Sequence, residues 1–419
     1  MWCSKRIAGL LSIIAAAVVA TATMVHGETQ VVPSIMLSEM YDSNVLLVPS
    51  SVVPARRVDD LVTMLSPQVS VLHNGRLVSG TVQAGLSGAR YVNNPGLSYV
   101  GVNTGLNLNL SEAVKRIIPN ATLLVSDSFT FTPVLPSFIF PNDEGNVEGV
   151  NLRGIQPARA MAYSNNATAT GSYAITPRVS LTTSYMHSLV IFGTQFSAPS
   201  VGGFFNTTMQ MITEGAQVNI SPTDSLNVNY MYSLVDFKGG ATFGGNSSFT
   251  SQGGTIGWSH TLTPSLKTNL VAGATVVSPG TPSQAMAYTG IATLTGTHQT
   301  ATWFLSYNRA VSPSFFIAAV PIVNDMVMAS VSHPITARLS GSGTASYAHG
   351  NSIESGGGRL SFDSYQASLG LQYKITRTVT ANTTYSHSLF FSELAGARSE
   401  FDRNQVMFTI SGTLPYRVN

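Results

Sequence analysis

Residues 365–374 of the chain read YQASLGLQYK, and this stretch decides the fold class. Its odd positions, from Tyr365 to Tyr373, are aromatic, aliphatic or alanine, whereas its even positions, from Gln366 to Lys374, are polar or glycine. Side chains of a β-strand point alternately to opposite faces. A period of two with one apolar face therefore predicts a strand between an apolar and a polar environment.

The same alternation recurs along the chain. It is clear in residues 100–110, 226–234 and 405–414, and the segments of this kind number about 18, in a range of about 16–18. Long strands with lipid on one face and water on the other are typical of transmembrane barrels. We therefore predict an all-β protein folded as a transmembrane antiparallel up-and-down β-barrel.

The composition favours a membrane over water as the surroundings of this barrel. Only 10% of residues are charged and 44% are hydrophobic, whereas soluble proteins carry roughly 25% charged residues. After residue 27 no stretch has the roughly 20 mainly apolar residues of a spanning helix. A closed barrel also satisfies every backbone polar group in hydrocarbon, so a barrel is favoured over a helical membrane protein or a low-charge secreted β protein.

The first 27 residues have the pattern of a secretory signal peptide. Lys5 and Arg6 precede an uncharged apolar segment, and small residues lead to Gly27. We predict a signal peptide at 1–27 and a barrel at 28–419, located in the outer membrane of a Gram-negative bacterium. Its partners would be outer-membrane lipid and the barrel assembly machinery; the alternative for the first segment is a permanent membrane anchor.

Cleavage would change both the cysteine count and the charge. The single cysteine, Cys3, would be lost, so the mature chain would have no thiol chemistry. Loss of Lys5 and Arg6 lowers the basic residues from 21 to 19, equal to the 19 acidic residues. A chain without net charge argues against nucleic acid as a partner, because nucleic-acid binding needs a basic surface.

Short turns and long connections alternate between the predicted strands. The short ones contain Asn-Gly, Ser-Pro or Thr-Pro pairs, which favour tight turns. The long ones are rich in Gly, Pro and Ser and are predicted at 45–60, 133–157, 193–206, 238–249, 278–284 and 391–403. Short periplasmic turns opposite long external loops are typical of outer-membrane barrels.

The connection at 133–157 is the candidate for a pore constriction. Its apolar segment 136–141 would gain by folding against the barrel wall. That would carry charged side chains into the opening, where they would act on passing ions. The alternative is a loop that stays outside the pore. The candidate residues are Asp143, Glu144, Glu148, Arg153 and Arg159.

A short motif with a tyrosine recurs late in several strands. Residues 184–189 read SYMHSL and residues 384–389 read TYSHSL. Amphipathic rings are favoured at membrane interfaces, so we predict an aromatic girdle formed by Tyr185, Tyr230, Tyr232, Tyr347 and Tyr385. Histidines His187, His349 and His387 accompany the motif, but no carboxylate or cysteine recurs beside them, so they are predicted as girdle residues and not as metal ligands.

Two carboxylates break the apolar side of the pattern. Asp127 and Glu214 fall on the predicted lipid face of their segments. A β-bulge shifts which face follows it, so a bulge or a strand-end position is the expected explanation, and a functional pair is the alternative.

No local motif of catalysis is present. The chain has no glycine-rich phosphate loop, nucleophile elbow or zinc-ligand spacing. We therefore predict no enzyme, no catalytic residues, no metal and no cofactor. A serine–histidine or aspartate–histidine site assembled from different strands would leave no such motif, and that alternative stays open.

Three motifs resemble those of a known family. Residues 32–45 form a proline-led strand with Glu39, then Tyr41, then Asp-Ser-Asn. Together with 401–404 (FDRN) and 306–309 (SYNR), they are similar to an outer-membrane barrel family associated with exopolysaccharide and PEP-CTERM gene clusters. The resemblance implies an outer-membrane barrel without an assigned activity, tied to surface-polymer export. The chain departs from many outer-membrane barrels because it ends in Asn419 and not in an aromatic residue.

Two functions fit these observations. The first is a porin-like, water-filled channel for small polar solutes, because an 18-stranded barrel leaves a lumen and the predicted inner face is dominated by Asn, Ser, Thr and Gln. The second is a structural or assembly component of a surface-polymer export system, with export-system partners and a closed lumen. Single-channel conductance would separate the two.

Overall fold

The computed structural model of the chain describes residues 27–46, 48–50, 58–134, 160–195, 205–238, 247–278, 284–313, 321–353, 360–394 and 397–418. Eighteen long strands follow one another through these residues, each antiparallel to the next. They are β1 (Gly27–Asp42), β2 (Asp60–Gly75), β3 (Ser79–Tyr91), β4 (Tyr99–Asn109), β5 (Ala121–Val134), β6 (Ala160–Thr176), β7 (Val179–Gln195), β8 (Asn206–Asn219), β9 (Asp224–Lys238), β10 (Ser247–Thr263), β11 (Leu266–Ser278), β12 (Ala285–His298), β13 (Ala301–Pro313), β14 (Pro321–Pro334), β15 (Leu339–Ser352), β16 (Leu360–Lys374), β17 (Val379–Leu394) and β18 (Ala397–Thr413).

The first and last strands close the sheet into a barrel. β1 pairs with β18 from Ser34↔Thr413 to Asp42↔Gln405. A short strand β19 (Tyr416–Val418) extends this contact by pairing with residues 29–31 of β1. The predicted closed, antiparallel, 18-stranded barrel is confirmed.

The pairing register fixes the dimensions of the barrel. We call the end of the barrel with the long connections the loop end and the opposite end the short-turn end. A line that starts at a residue of β5 and follows directly paired residues once around the eighteen strands returns to β5 about 22 residues closer to the loop end, which is the shear of the barrel. With strands about 4.8 Å apart, this shear gives a strand tilt of about 40° and a backbone radius of about 18 Å. Neighbouring residues of one hydrogen-bonded row therefore rise by about 3 Å per strand.

The register also separates two faces, because directly paired residues of antiparallel strands lie on the same side of a sheet. One face carries Leu65, Leu86, Leu369 and Leu371, all exposed despite being aliphatic. The other carries mainly Ser, Thr, Asn, Gln and Gly. We call them the outward and inward faces, because an exposed apolar circumference is stable against lipid and a polar one around water.

The connections between strands alternate between long loops and short turns as predicted, with two differences from the predicted pattern. A four-residue helix α1 (Ser111–Val114) and the turn after it join β4 to β5, where no helix was predicted. The predicted long loop at 391–403 is wrong: pairing continues to Leu394↔Ala397, and two residues join β17 to β18. An ion pair between Glu393 and Arg398 (3.2 Å) and packing of Phe390 on Phe401 extend this hairpin.

The predicted explanation for Asp127 and Glu214 is wrong as well. The ladders on both sides of each residue run without a register shift there, and both residues lie near the middle of their strands. Both carboxylates therefore face outward. Each accepts a hydrogen bond from an adjacent strand: Asp127 from Asn165 Nδ2 (3.0 Å) on β6 and Glu214 from Thr183 Oγ1 (2.6 Å) on β7.

Within the part of the chain that the structure describes, no helix has both the length and the apolar character needed to cross a membrane.

Candidate functional site

The inward faces of the strands form a wall of hydroxyl and amide groups over the middle and the short-turn half of the barrel. Neighbouring strands share side-chain hydrogen bonds there, such as Thr122 to Ser172 (2.6 Å) and Thr380 to Ser411 (2.7 Å). These groups donate and accept equally well, so the wall can bond water or a neutral solute without ionic charge. This agrees with the inner face predicted from the alternation.

Formal charges are rare on the inward faces of the eighteen long strands. Six described side chains carry one: Glu28, Asp42, Asp60, Lys267, Lys374 and Arg403. Three of them, Asp42, Asp60 and Arg403, are buried or nearly so at the loop end, and Glu28 pairs with Arg417 (3.1 Å) at the short-turn end. The two remaining charged side chains, Lys267 on β11 and Lys374 on β16, are exposed near the short-turn end of their strands.

At the loop end the inward face changes from polar to apolar. Buried apolar side chains line it on most strands, and we call them the loop-end collar: Met40, Val62, Tyr91, Phe237, Phe249, Val277, Ile322, Phe362, Phe390 and Phe401. Its rings pack on one another, with centroids 5.9 Å apart for Phe362–Phe390 and 6.0 Å apart for Phe237–Phe249. The predicted inner face dominated by Asn, Ser, Thr and Gln therefore does not extend to this end.

Beside the collar, two of the family-like motifs meet where the barrel closes. The Arg403 guanidinium donates to Asp42 through Nη2 (2.5 Å) and Nε (3.0 and 3.1 Å). The Asn44 side chain donates to the Asp402 carbonyl (3.2 Å), and the Asn404 amide donates to Ser43 Oγ (2.8 Å). The motifs around Asp42 and Arg403 thus bind β1 to β18.

A second buried carboxylate organises the connection from β3 to β4. Asp60 accepts hydrogen bonds from the backbone amides of Val92 (2.9 Å), Asn93 (2.8 Å) and Asn94 (2.8 Å), and from Asn94 Nδ2 (2.9 Å). Four donors compensate the burial of this charge. Sequence reasoning missed Asp60, and the signal available was an acidic residue at the first position of an otherwise apolar strand end.

The predicted constriction residues Asp143, Glu144, Glu148, Arg153 and Arg159 all lie outside the described residues. Their place in the pore stays a prediction.

The five girdle tyrosines all lie on the outward face, and their surroundings differ. Tyr347 donates to Asp363 (2.7 Å), Tyr385 to Asn404 (2.9 Å) and Tyr230 to Gln252 (3.1 Å). Tyr185 and Tyr232 have no hydrogen-bond partner among the described residues. That the five mark the membrane interface stays a prediction.

The three histidines of the motif differ in the same way. His349 contacts Asp363 (2.9 Å) through Nδ1, and His387 contacts Asn404 (3.0 Å) through Nδ1. His187 has no such partner in the described part of the chain. Among the residues that the structure describes, no group of three or more His, Cys, Asp or Glu side chains could hold a metal ion.

Comparison with known proteins gives one family match. Residues 305–413, about a quarter of the chain, match the family described as "Putative beta-barrel porin 2". This segment runs from β13 to the end of β18. No curated protein matches the chain.

Solved structures of outer-membrane proteins are similar over most of the chain at low identity. Acinetobacter baumannii OccAB3 has 12% identity and a TM-score of 0.47, with 93% of this chain and 99% of that chain covered. Pseudomonas aeruginosa OccK3 (OpdO) has 11% identity and a TM-score of 0.44, with 92% and 96% covered. Pseudomonas aeruginosa OpdK with vanillate has 11% identity and a TM-score of 0.45, with 92% and 99% covered.

Proposed function

We propose that the chain is a porin-like outer-membrane channel that passes small neutral polar solutes by diffusion. The observation that carries the proposal is the inward wall of hydroxyl and amide groups in a closed barrel of eighteen strands. A backbone radius of about 18 Å leaves room for water inside after side chains are counted. Matching of residues 305–413 to a porin family supports the same function.

The sparse charges of the wall define the expected selectivity. Lys267 and Lys374 are exposed to the lumen, whereas the acidic side chains Asp42 and Asp60 are buried and hydrogen-bonded. A low-dielectric wall strengthens the field of unpaired charges in a cleft. We therefore propose a weak preference for anions among ions, set near the short-turn end.

Planar-bilayer recordings test both statements. We expect stable single-channel steps from the purified protein, and a reversal potential that shifts toward cation preference in the Lys267→Glu/Lys374→Glu variant. The matched control is Arg377→Glu, which changes a charge in the short turn after β16 and not on the wall. A folded, heat-modifiable barrel without conductance would contradict the channel.

The loop at 133–157 is proposed as a further constriction, on the sequence alone. Deleting residues 137–150 should raise single-channel conductance, and neutralising Asp143, Glu144 and Glu148 together should shift the ion selectivity away from cations. A deletion variant that folds normally with unchanged conductance and selectivity would place the loop outside the pore.

The second candidate is a barrel with a closed lumen that serves surface-polymer export. The buried loop-end collar favours it, because apolar side chains that are not exposed to solvent do not line a water-filled passage. Liposome swelling separates the candidates: entry of a small neutral sugar into liposomes that contain the protein supports the channel. No swelling, with loss of surface polymer when the gene is deleted, supports the scaffold.

A further inference from the structure

The outward face of the barrel is not uniform around its circumference. On β16 and β18 the mid-strand outward residues are apolar, for example Leu369, Leu371 and Ile410. On β5 to β9 the corresponding positions include polar side chains: Asp127, Asn165, Thr183, Tyr185, His187, Gln210, Glu214 and Tyr230. We call this set the polar sector.

The carboxylates of the polar sector lie at one level of the barrel. Pairing leads from Asp127 through Ala167 and His187 to Gln210, and this path rises by about 9 Å over three strands at the shear found above. Glu214 lies four residues below Gln210 on β8, which lowers it by about 10 Å. Asp127 and Glu214 are therefore level within about 2 Å, near mid-height.

Lipid is an unfavourable neighbour for this sector. Charged side chains on the lipid face destabilise a barrel most at the middle of the bilayer. Glu214 is exposed, and Thr183 is its single hydrogen-bond donor among the described residues. The hydroxyl of Tyr185, whose ring is 46% exposed, has no partner among the described residues. Among the described residues, the Tyr185 hydroxyl and part of the Glu214 carboxylate therefore remain available for further hydrogen bonds on one surface.

The sector is complementary to itself. Two chains inserted in the same direction can be related by a two-fold axis along the membrane normal. This axis keeps equivalent residues of the two chains at the same depth in the membrane, and the interface is isologous. If the axis passes β7, the β8 strand of one copy faces β6 of the other. Glu214 then lies opposite the small residues Ala167 and Ala169, and Gln210 opposite Asn165 at nearly equal height.

From this geometry we infer that the polar sector is the contact surface between two copies of this chain. Tyr185 lies close to the axis at the level of Glu214, so its hydroxyl can donate to the Glu214 carboxylate of the second copy. The Gln210 amide can donate to Asn165 Oδ1 of the second copy, because Asn165 Nδ2 already donates to Asp127 (3.0 Å) and to the Ser128 carbonyl (3.2 Å) within its own chain. Ala167 and Ala169 leave the space into which Ile212 and Glu214 of the second copy project.

Cysteine cross-linking in intact outer membranes tests the inference. In a Cys3→Ser background, Tyr185→Cys near the axis should cross-link to itself with a short bismaleimide. The matched control is Leu371→Cys, which is outward-facing at nearly the same level but nine strands away, on the opposite side of the barrel. Co-expressed Gln210→Cys and Asn165→Cys chains should cross-link to each other more strongly than either does alone.

Mass measurement completes the test. Light scattering of the protein in mild detergent should give two chains for the unmodified protein. The Gln210→Ala/Glu214→Ala variant should weaken the dimer by at least about tenfold in dissociation constant, because several interfacial hydrogen bonds are lost. Heat modifiability on gels verifies that each variant is folded. A mass of one chain, with Tyr185→Cys no more reactive than Leu371→Cys, would overturn the inference, as would a cross-link to a different polypeptide.

Discussion

The chain contains one motif twice, and the two copies meet different neighbours. In β7 it reads SYMHSL (184–189) and in β17 TYSHSL (384–389), with tyrosine and histidine at the seventh and ninth positions of both strands. In β17 both polar groups bond Asn404 of β18, at 2.9 Å for the Tyr385 hydroxyl and 3.0 Å for His387 Nδ1. In β7 neither has a partner among the described residues.

The difference comes from the next strand and not from the motif. Tyr385 lies opposite Val406 with Asn404 two residues away, whereas Tyr185 lies opposite Ile212 with Gln210 two residues away. Asparagine places its amide close to the backbone, where both the ring hydroxyl and the imidazole reach it. On the outward face, the β17 motif therefore forms its hydrogen bonds within the chain, whereas the polar groups of the β7 motif are available to a neighbour of the barrel.

The largest expected effect tests what holds the β17 copy in place. Its partner strand β18 is fixed to β1 by the ion pair between Arg403 and Asp42, whose carboxylate side is 1% exposed. The Arg403→Met variant leaves a buried charge without its partner, which typically costs about 3–5 kcal/mol. Urea unfolding of the detergent-solubilised barrel measures this loss. The double variant Asp42→Leu/Arg403→Met should recover most of it, and a single variant as stable as the unmodified barrel would mean that the pair does not secure the seam.

The next prediction compares the outward surfaces on opposite sides of the barrel. Leu371→Arg should lower the free energy of unfolding in lipid by about 2–4 kcal/mol, because a mid-bilayer arginine faces hydrocarbon. Ile212→Arg on β8 should cost clearly less, since Glu214 lies two residues away on the same face. Inward Gln372→Arg is the control for register and should be tolerated. Equal losses at Leu371 and Ile212 would show that the polar sector and the apolar side have the same surroundings.

Periodicity made the barrel itself predictable from the sequence. In each alternating segment the local sequence shows which residues share a face. Because the register is continuous at Asp127 and Glu214, the alternation places both residues on the outward face without a bulge. The bulge prediction failed because a carboxylate was assumed to avoid that face, whereas Asn165 and Thr183 on neighbouring strands supply hydrogen bonds. Partners across strands separated by more than thirty residues do not show in local periodicity.

The loop-end collar was unpredictable for a related reason. In its last residues β9 reads LVDFK, where the apolar positions switch from the outward face to Val235 and Phe237 on the inward face, and β17 reads FF at 390–391, with one ring on each face. Neither pattern shows from the sequence alone that the inward side chains at this end are buried. The pairing of Arg403 with Asp42 joins residues 361 positions apart, and only closure of the barrel brings them together.

A smaller effect is expected from the shared acceptor of the β17 copy. Asn404→Ala removes the acceptor that Tyr385 and His387 share, while His387 Nδ1 keeps its contact with Asp402 Oδ1 (3.5 Å). The loss should be about 1–2 kcal/mol at typical values for hydrogen bonds in proteins. Gln210→Ala, the equivalent change beside the β7 copy, should cost less than about 0.5 kcal/mol in dilute detergent, where chains are separated. Unfolding of both variants under identical conditions measures the difference, and equal costs would contradict the contrast between the two copies.

The smallest change is the most direct, because it removes one hydroxyl oxygen from the tyrosine of each motif. Tyr385→Phe should lower the free energy of unfolding of a single barrel by about 0.5–1 kcal/mol, since the hydroxyl bonds Asn404 within the chain. Tyr185→Phe should leave that free energy unchanged, because the Tyr185 hydroxyl has no hydrogen-bond partner in the described chain. The same variant should weaken association of two chains if the Tyr185 hydroxyl donates to a second chain. Unfolding in dilute detergent and association by light scattering separate the two quantities. If Tyr185→Phe destabilises the single barrel as much as Tyr385→Phe, its hydroxyl has a partner inside the chain; if it changes neither quantity, the hydroxyl plays no part in contact with a second copy.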